Sequence, residues 1–432
     1  MKRITLSEWQ YLPIGTEPDQ VTRAEAEALL RVAEAAAPAL KLGRGEGEVV
    51  LQDLGSRLRM QQTVGVLVSP SVTLEILPKI DTDRATVRRN LIHMIAALQD
   101  LPISATQSSF LDTQNRDILE ILIARFSQDL LTALRAGAAR AYVTQEEELT
   151  ALRGRLNVER QFSLRAGRAD KLICRHDNLS PDTPLNRVLN AAAGLVAGLT
   201  RSLSTRRHLT EAMLHLDGVG ALPPGDLPEL TFDRTSSRFR HLYDQACMFL
   251  RAQYQTTSGG AARGLAILFR MNMLFEAWVA QELRRILMPN GWQVRSQVGR
   301  RPALWRGEEA LFRMIPDIVI SRGRECYVLD TKWKRLTPAD RDPKRGVAQA
   351  DVYQMLAYQQ AWGADGVALI YPGSTMAARG ADVLRIGQGH VPFVLAEVPV
   401  DDLATVKSAH CAYVDTLIEA SAGTVLGHGL MG

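Results

Sequence analysis

The sequence predicts a mixed α/β protein: a β-rich N-terminal domain, a helical middle region and a C-terminal α/β sandwich on a mixed sheet. Three observations lead there. β-Branched runs separated by turn residues crowd residues 48–80. Helical stretches dominate from about 84 to 203. Beyond a Pro/Gly-rich stretch at 217–230, the order becomes helix, three strands, helix and strand. The expected domains are 1–110, 111–230 and 231–432.

Each element has a local cause. "TRAEAEALLRVAEAAAPAL" (22–40) is Ala-rich and reads as a helix opening at Thr22. "GRGEGE" then breaks the pattern as a loop. "EVVLQDL", "RLRMQQTVGVLVS" and "VTLEILPKI" read as short strands, with "SPS" as a turn. Helices are expected at about 84–99 and 114–139. A segment from "LRGRLNVERQF" to "CRHDNLSPDTPLNRVLNAA" bridges to another helix at 184–203. Past the linker, helices at about 238–255 and 263–288 precede an antiparallel meander of 292–298, 312–320 and 325–333. A helix at 347–362, strands at 366–371 and 391–400, and a helix at about 401–420 complete the order.

Composition excludes several classes. The four cysteines are far apart, and no Cys/His cluster has zinc-site spacing. The start, "MKRITLSEWQ", lacks a signal peptide's apolar core, and no apolar run is long enough to span a bilayer. A cytoplasmic protein with no membrane partner is expected. The eight histidines are dispersed, and neither G-x-S-x-G nor a nucleotide-binding G-x-x-x-x-G-K-[ST] occurs. Net charge is only +4, yet residues 295–345 carry 13 Lys/Arg against 7 Asp/Glu. A basic field of that kind suits a polyanion such as nucleic acid, or is simply a solvated surface.

Inside that basic stretch lies "RMIPDIVISRGRECYVLDTKWKR" (313–335), which places Asp317, Asp330 and Lys332 within strand-like runs. A two-residue turn at Gly323-Arg324 sets Arg322 opposite Glu325 and, counting outward, Asp317 opposite Asp330. Such neighbours lie roughly 5 Å apart at Cβ. Lys332 then shares their face. Opposed carboxylates repel, and burial raises the cost; a divalent cation between them relieves it, and hard oxygen ligands suit Mg²⁺. The alternative is an edge hairpin whose acids pair with Lys332 and Arg313.

Asp on the second strand and Asp-x-Lys on the third resemble the PD-(D/E)xK nuclease fold, a restriction-endonuclease-like α/β/α sandwich. Upstream, "MNMLFEAWV" puts Glu276 on the preceding helix, where such nucleases often carry another acid. Downstream, Gln354 and Tyr358 in "DVYQMLAYQQ" are four apart, on one helical face, and resemble the Q-x-x-x-Y of RecB-like nucleases. The resemblance implies Mg²⁺ held by Asp317 and Asp330, with Glu276 completing the shell or holding a metal-bound water. Lys332 acts on the water or the developing charge, and Gln354 and Tyr358 position phosphate or water.

A wider likeness covers about residues 55–400. "VGVLVSPSVTLEILPKI", "NLIHMI", "LRGRLNV", "DTPLNRVLNAA", "MNMLFEAWV", "PDIVI", "LDTKWK" and "YQMLAY" resemble, in order, the McrC family. These are nuclease subunits of McrBC-type modification-dependent restriction systems. The resemblance implies a Mg²⁺-dependent endonuclease for double-stranded DNA. It also implies an AAA+ GTPase partner, McrB, expected as a hexameric ring, bound through the β-rich domain and stimulated in its GTP hydrolysis. Arg57 and Arg59 are candidates for that stimulation. A fragment ending near residue 216 is then expected to keep partner binding without cleavage. Two alternatives stay open: a stand-alone nuclease of repair or recombination, and a non-catalytic motor-activating subunit.

Overall fold

The computed structural model describes residues 2–38, 40, 49–80, 83–98, 117–165, 167, 170–223, 225, 227–255, 263–297, 299, 301–336, 344, 346–373, 381–388 and 390–428. The "GRGEGE" loop, the start of the 114–139 helix and the 110/111 boundary lie outside them. The chain is mixed α/β, as expected, and divides into two compact units. One joins Met1–Ile118 with Tyr254–Gly432; the other is Leu119–Gln253.

Two large sheets, one of five strands and one of six, dominate the first unit. In the N-terminal sheet, Lys2–Ser7 runs parallel to Val72–Leu77, which is antiparallel to Thr63–Val68. Both central strands are buried along their full length, so each face needs a cover. The helix Arg23–Ala36 covers one face, packing Leu29 and Ala33 with Leu67, Leu74 and Ile76. Thr22 and Glu25 close a capping box at its start. On the other face Arg88, from the helix Arg84–Leu98, forks onto the buried Glu75 at 2.8 and 2.6 Å. That bidentate pair keeps the carboxylate compensated.

Residues 263–288 are not one helix. Arg263–Arg270 is a strand antiparallel to Thr63–Val68, and the helix begins at Met271. A short apolar run such as "GLAILF" fits a buried strand and a helix equally, and only the open edge of the N-terminal sheet decides. Gly65 fits this pairing: its φ is +129, and a Cβ there would lie 2.0 Å from Ile267 O. The N-terminal sheet is thus completed by residues from beyond the 217–230 stretch. A fragment ending near residue 216 would expose Thr63–Val68 as an apolar edge. We expect it to lose the cooperative thermal transition of the full chain, contrary to the sequence expectation; a sharp melt by circular dichroism would contradict this.

The second sheet has six strands in the order Gln293–Ser296, Ile318–Arg322, Glu325–Thr331, Gly366–Gly373, Val391–Pro399 and Ala381–Ile386. The first three are antiparallel, and the next two join in parallel, giving the mixed sheet. The helices Met271–Leu287 and Leu403–His428 pack on this sheet, and Gln349–Trp362 also packs against its central strands, Glu325–Thr331 and Gly366–Gly373. The meander holds, with one change. The expected 312–320 strand is split: Glu309–Met314 pairs with Arg301–Arg306 in a separate hairpin, and the sheet strand starts at Ile318. Pro316 lacks an N–H and restricts Ile315, which interrupts the ladder. The Ala381–Ile386 strand was not anticipated.

The second unit is helical, with helices Pro184–Leu199, Leu203–His215 and Arg240–Arg251, and carries a three-stranded sheet as well. Ala141–Leu149 and Leu172–Ser180 pair over nine residues. Arg240–Arg251 packs here, with Phe249 edge-on to Phe126 at 5.5 Å between ring centres. The division therefore differs from 1–110, 111–230 and 231–432. The 217–230 stretch lies inside this unit, and the chain returns to the first unit at Tyr254. Proline and glycine mark an irregular connection, but packing decides which side of it is a boundary.

Candidate active site

Arg322 faces Glu325 across the turn, and Gly323 has φ +59, as a two-residue loop with glycine first requires. Counting outward from the Ile318–Leu329 pair sets Asp317 against Asp330. Glu325–Thr331 lies between two other strands, so this is no edge hairpin. Arg313, on the separate hairpin, forms no ion pair with either acid among the described residues. A cavity of about 910 Å³ brings together all six expected site residues: Glu276, Asp317, Asp330, Lys332, Gln354 and Tyr358.

Each side chain has a fixed address. Asp317 Oδ2 accepts the backbone N–H and the hydroxyl of Thr331, both at 2.7 Å, so Thr331 aims the carboxylate. Asp330 is 1% exposed and ion-paired to Lys332 Nζ at 2.6 Å. Lys332 also donates to Gln354 Oε1 at 2.9 Å. Gln354 Nε2 donates to Tyr358 OH at 2.9 Å and approaches Asp330 Oδ1 at 3.4 Å. Tyr358 in turn donates to Ile315 O at 2.9 Å, tying the helix to the approach of Asp317. Gln354 and Tyr358 thus orient Lys332 and the acid pair. Glu276 Oε1 accepts from Gln297 Nε2 at 3.0 Å.

Sequence reasoning missed Thr331 and Gln297, and also Glu8 and Trp333, which line the same cavity. Thr331 sits between Asp330 and Lys332 on the strand, so its position in the Asp-x-Lys was the available signal. Gln297 adopts a left-handed φ of +47, which nothing in its sequence announces.

The electrostatics follow from burial. Burial, then the nearby Asp317, push the Asp330 pKa up to about 7, against the pull of Lys332. Burial also raises Asp317, opposed by its bonds from Thr331. Glu276 is pushed up to about 7 by burial, then by Asp317. Among the described residues, no three His, Cys, Asp or Glu converge as a ready-made ion cage. Two carboxylates suffice for Mg²⁺, which commonly keeps several waters, so Asp317 and Asp330 fit such an ion, and Glu276 lines the same cavity. Ligation requires the ionised forms. Mn²⁺ or Mg²⁺ affinity should therefore rise as pH goes from about 6 to about 8, while Asp330 and Glu276 release their protons. Calorimetry in buffers of different ionisation enthalpy would detect that release; an affinity flat across this range would contradict it.

A family model described as McrBC 5-methylcytosine restriction system component matches residues 58–372. No curated protein matches the chain. Among solved structures, one chain of a half-complex described as Thermococcus gammatolerans McrB AAA+ hexamers with bound McrC is 20% identical. The match covers 96% of this chain and 100% of that one, with a TM-score of 0.74. A chain of the cryo-EM structure of the Thermococcus gammatolerans McrBC complex is 23% identical. It covers 66% of this chain and 88% of that one, with a TM-score of 0.54.

Proposed function

The chain belongs to the McrBC family of 5-methylcytosine restriction system components, and from that premise we propose that it is the family's nuclease subunit, a Mg²⁺-dependent endonuclease for double-stranded DNA. One observation carries this: Asp317, Asp330 and Lys332 converge in a single cavity, with Lys332 held by Gln354. A buried acid pair whose pKa values are raised gains little for folding and much for binding a cation. When bound, Mg²⁺ supplies charge neutralisation at the phosphoryl group and a more acidic water. The chain's own residues do the rest. Asp317 and Asp330 would hold the ion, and Thr331 keeps Asp317 aimed. Lys332 places a positive charge beside the reacting phosphate, where its fixed position stabilises developing negative charge. Glu276, which lines the same cavity, would accept a hydrogen bond from a water there.

We further propose an AAA+ GTPase partner of the McrB kind and a cytoplasmic setting. The structural likeness to chains solved with McrB hexamers supports the partner, and the sequence has no P-loop of its own. Among the described residues no helix is long and apolar enough to cross a membrane. Reconstitution with an AAA+ protein of the McrB kind tests the assignment, with GTP hydrolysis and DNA cleavage measured together. Cleavage should require Mg²⁺, GTP and both proteins. Equal cleavage by the purified chain alone would shift the function to a stand-alone nuclease.

A further inference from the structure

Trp333 follows Lys332 directly, and its indole Nε1 donates to Glu8 Oε1 at 2.8 Å. The same oxygen accepts the Lys79 backbone N–H at 3.1 Å. Glu8 follows the Lys2–Ser7 strand, and its own N–H donates to Leu77 O at 2.8 Å. The N-terminal sheet therefore fixes both the backbone and the carboxylate of Glu8. The residue is 1% exposed, and its Oε2 is buried without a hydrogen bond among the described residues. A buried carboxylate with one oxygen unsatisfied is costly, and folding alone favours an apolar residue in its place. Burial accordingly raises its pKa.

Its surroundings give it a role. Glu8 lines the cavity that contains Asp317 and Asp330. The Trp333 ring packs against Phe275 at 5.4 Å, one residue before Glu276. The indole held by Glu8 thus touches both flanks of the site, the Lys332 end of the strand and the Glu276 helix. On the other side Trp9 has φ +68, a left-handed conformation that bulky residues rarely adopt. The Arg59 guanidinium stacks over the Trp9 ring at 5.5 Å. The basic, aromatic face of the N-terminal region is therefore one residue from Glu8.

We propose that Glu8 is a positioning residue for the nuclease centre: its hydrogen bond to Trp333 locks the Lys332 end of the Asp-x-Lys strand to the N-terminal sheet. This rests on the nuclease assignment above. Glu8 takes no part in the chemistry. Without its bond the indole is free to turn, and Lys332 loses the support that keeps it between Asp330 and Gln354.

Full-length variants test this. Glu8→Ala removes the acceptor, Glu8→Gln keeps an acceptor oxygen for both N–H groups, and Trp333→Phe removes the donor while keeping an aromatic ring. In metal-free protein the Trp333 indole N–H resonance, identified by its absence in Trp333→Phe, should move in Glu8→Ala and return in Glu8→Gln. In single-turnover cleavage at saturating Mg²⁺, with the AAA+ partner and GTP, Glu8→Ala and Trp333→Phe should each lose about tenfold or more. Glu8→Gln should retain most of the rate, and Mn²⁺ affinity should stay at the wild-type value in all three. Asp330→Ala runs beside them. If it still cleaves, the nuclease assignment fails and the positioning role with it. If it is inactive while Glu8→Ala cleaves at the wild-type rate, or Glu8→Gln is as impaired as Glu8→Ala, the positioning role alone is overturned.

Discussion

Asp330→Ala, and separately Asp317→Ala, should reduce DNA cleavage by the reconstituted complex at least about 10²-fold, the scale lost when one preorganised electrostatic group is removed. Each supplies half of an opposed carboxylate pair in the cavity, so a single truncation leaves one acid where the proposed cation would have two. Folding should not suffer to match. Burial holds the Asp330 pKa at about 7, above its unfolded value near 3.8. Its proton-bound form is the one the metal-free fold prefers. That preference contributes stability in acid, and the contribution is lost as pH rises through about 7. At pH near 8 the ionised carboxylate is a liability without metal, so the neutral, near-isosteric Asp330→Asn should melt at or above the wild-type Tm. At pH near 4, where both chains carry a neutral group, the difference should vanish. The measurements are plasmid cleavage with partner and GTP, and thermal melts in chelator at both pH values. Wild-type cleavage by either alanine variant would move the site elsewhere. A large drop in the Asp330→Asn Tm at the higher pH would show the carboxylate to be structural.

Lys332→Ala should separate chemistry from metal binding. The ammonium lies 2.6 Å from Asp330 Oδ2 and cannot itself ligate a cation. Removing it eliminates a competing positive charge, so Mn²⁺ affinity should be unchanged or tighter. Lys332 also pulls the Asp330 pKa down, and its loss lets that pKa climb. The titration therefore belongs at pH above about 8, where Asp330 is ionised in both proteins. Single-turnover cleavage at saturating metal should fall by roughly 10²–10³-fold, because a fixed positive charge beside the phosphate is gone. Lys332→Arg should recover little, since a planar fork cannot take the place of a compact ammonium held between Asp330 and Gln354. Weakened metal binding with undiminished single-turnover cleavage would contradict this division.

Much of the site was legible because it is local. The alternation of a strand and the glycine-first turn place Asp317 against Asp330 within 14 residues of chain. A four-residue spacing puts Gln354 and Tyr358 on one helical face, and they are hydrogen-bonded to each other. Thr22 announces a helix start, and it closes a reciprocal cap with Glu25, three residues on. In each case the responsible geometry repeats within one turn or one hairpin, so residue order alone expresses it.

Other features depend on a partner that residue order does not name. Arg263–Arg270 becomes a strand because Thr63–Val68 offers an unpaired edge; its own apolar run suits either structure. Arg240–Arg251 joins the second unit because its apolar face meets Phe126, not because the 217–230 stretch fails to separate it. Glu8 and Trp333 stand 325 residues apart, and their hydrogen bond exists only once both large sheets of the first unit have formed. The sequence by itself therefore determined the hairpin register, the helix faces and the candidate residues that line the cavity. Tertiary structure alone decided which strand completes which sheet, where one unit interrupts the other, and that Trp333 meets Glu8. Periodicity encodes a residue's own face, whereas pairing and packing depend on the free energy of two distant surfaces meeting, which neither surface carries alone.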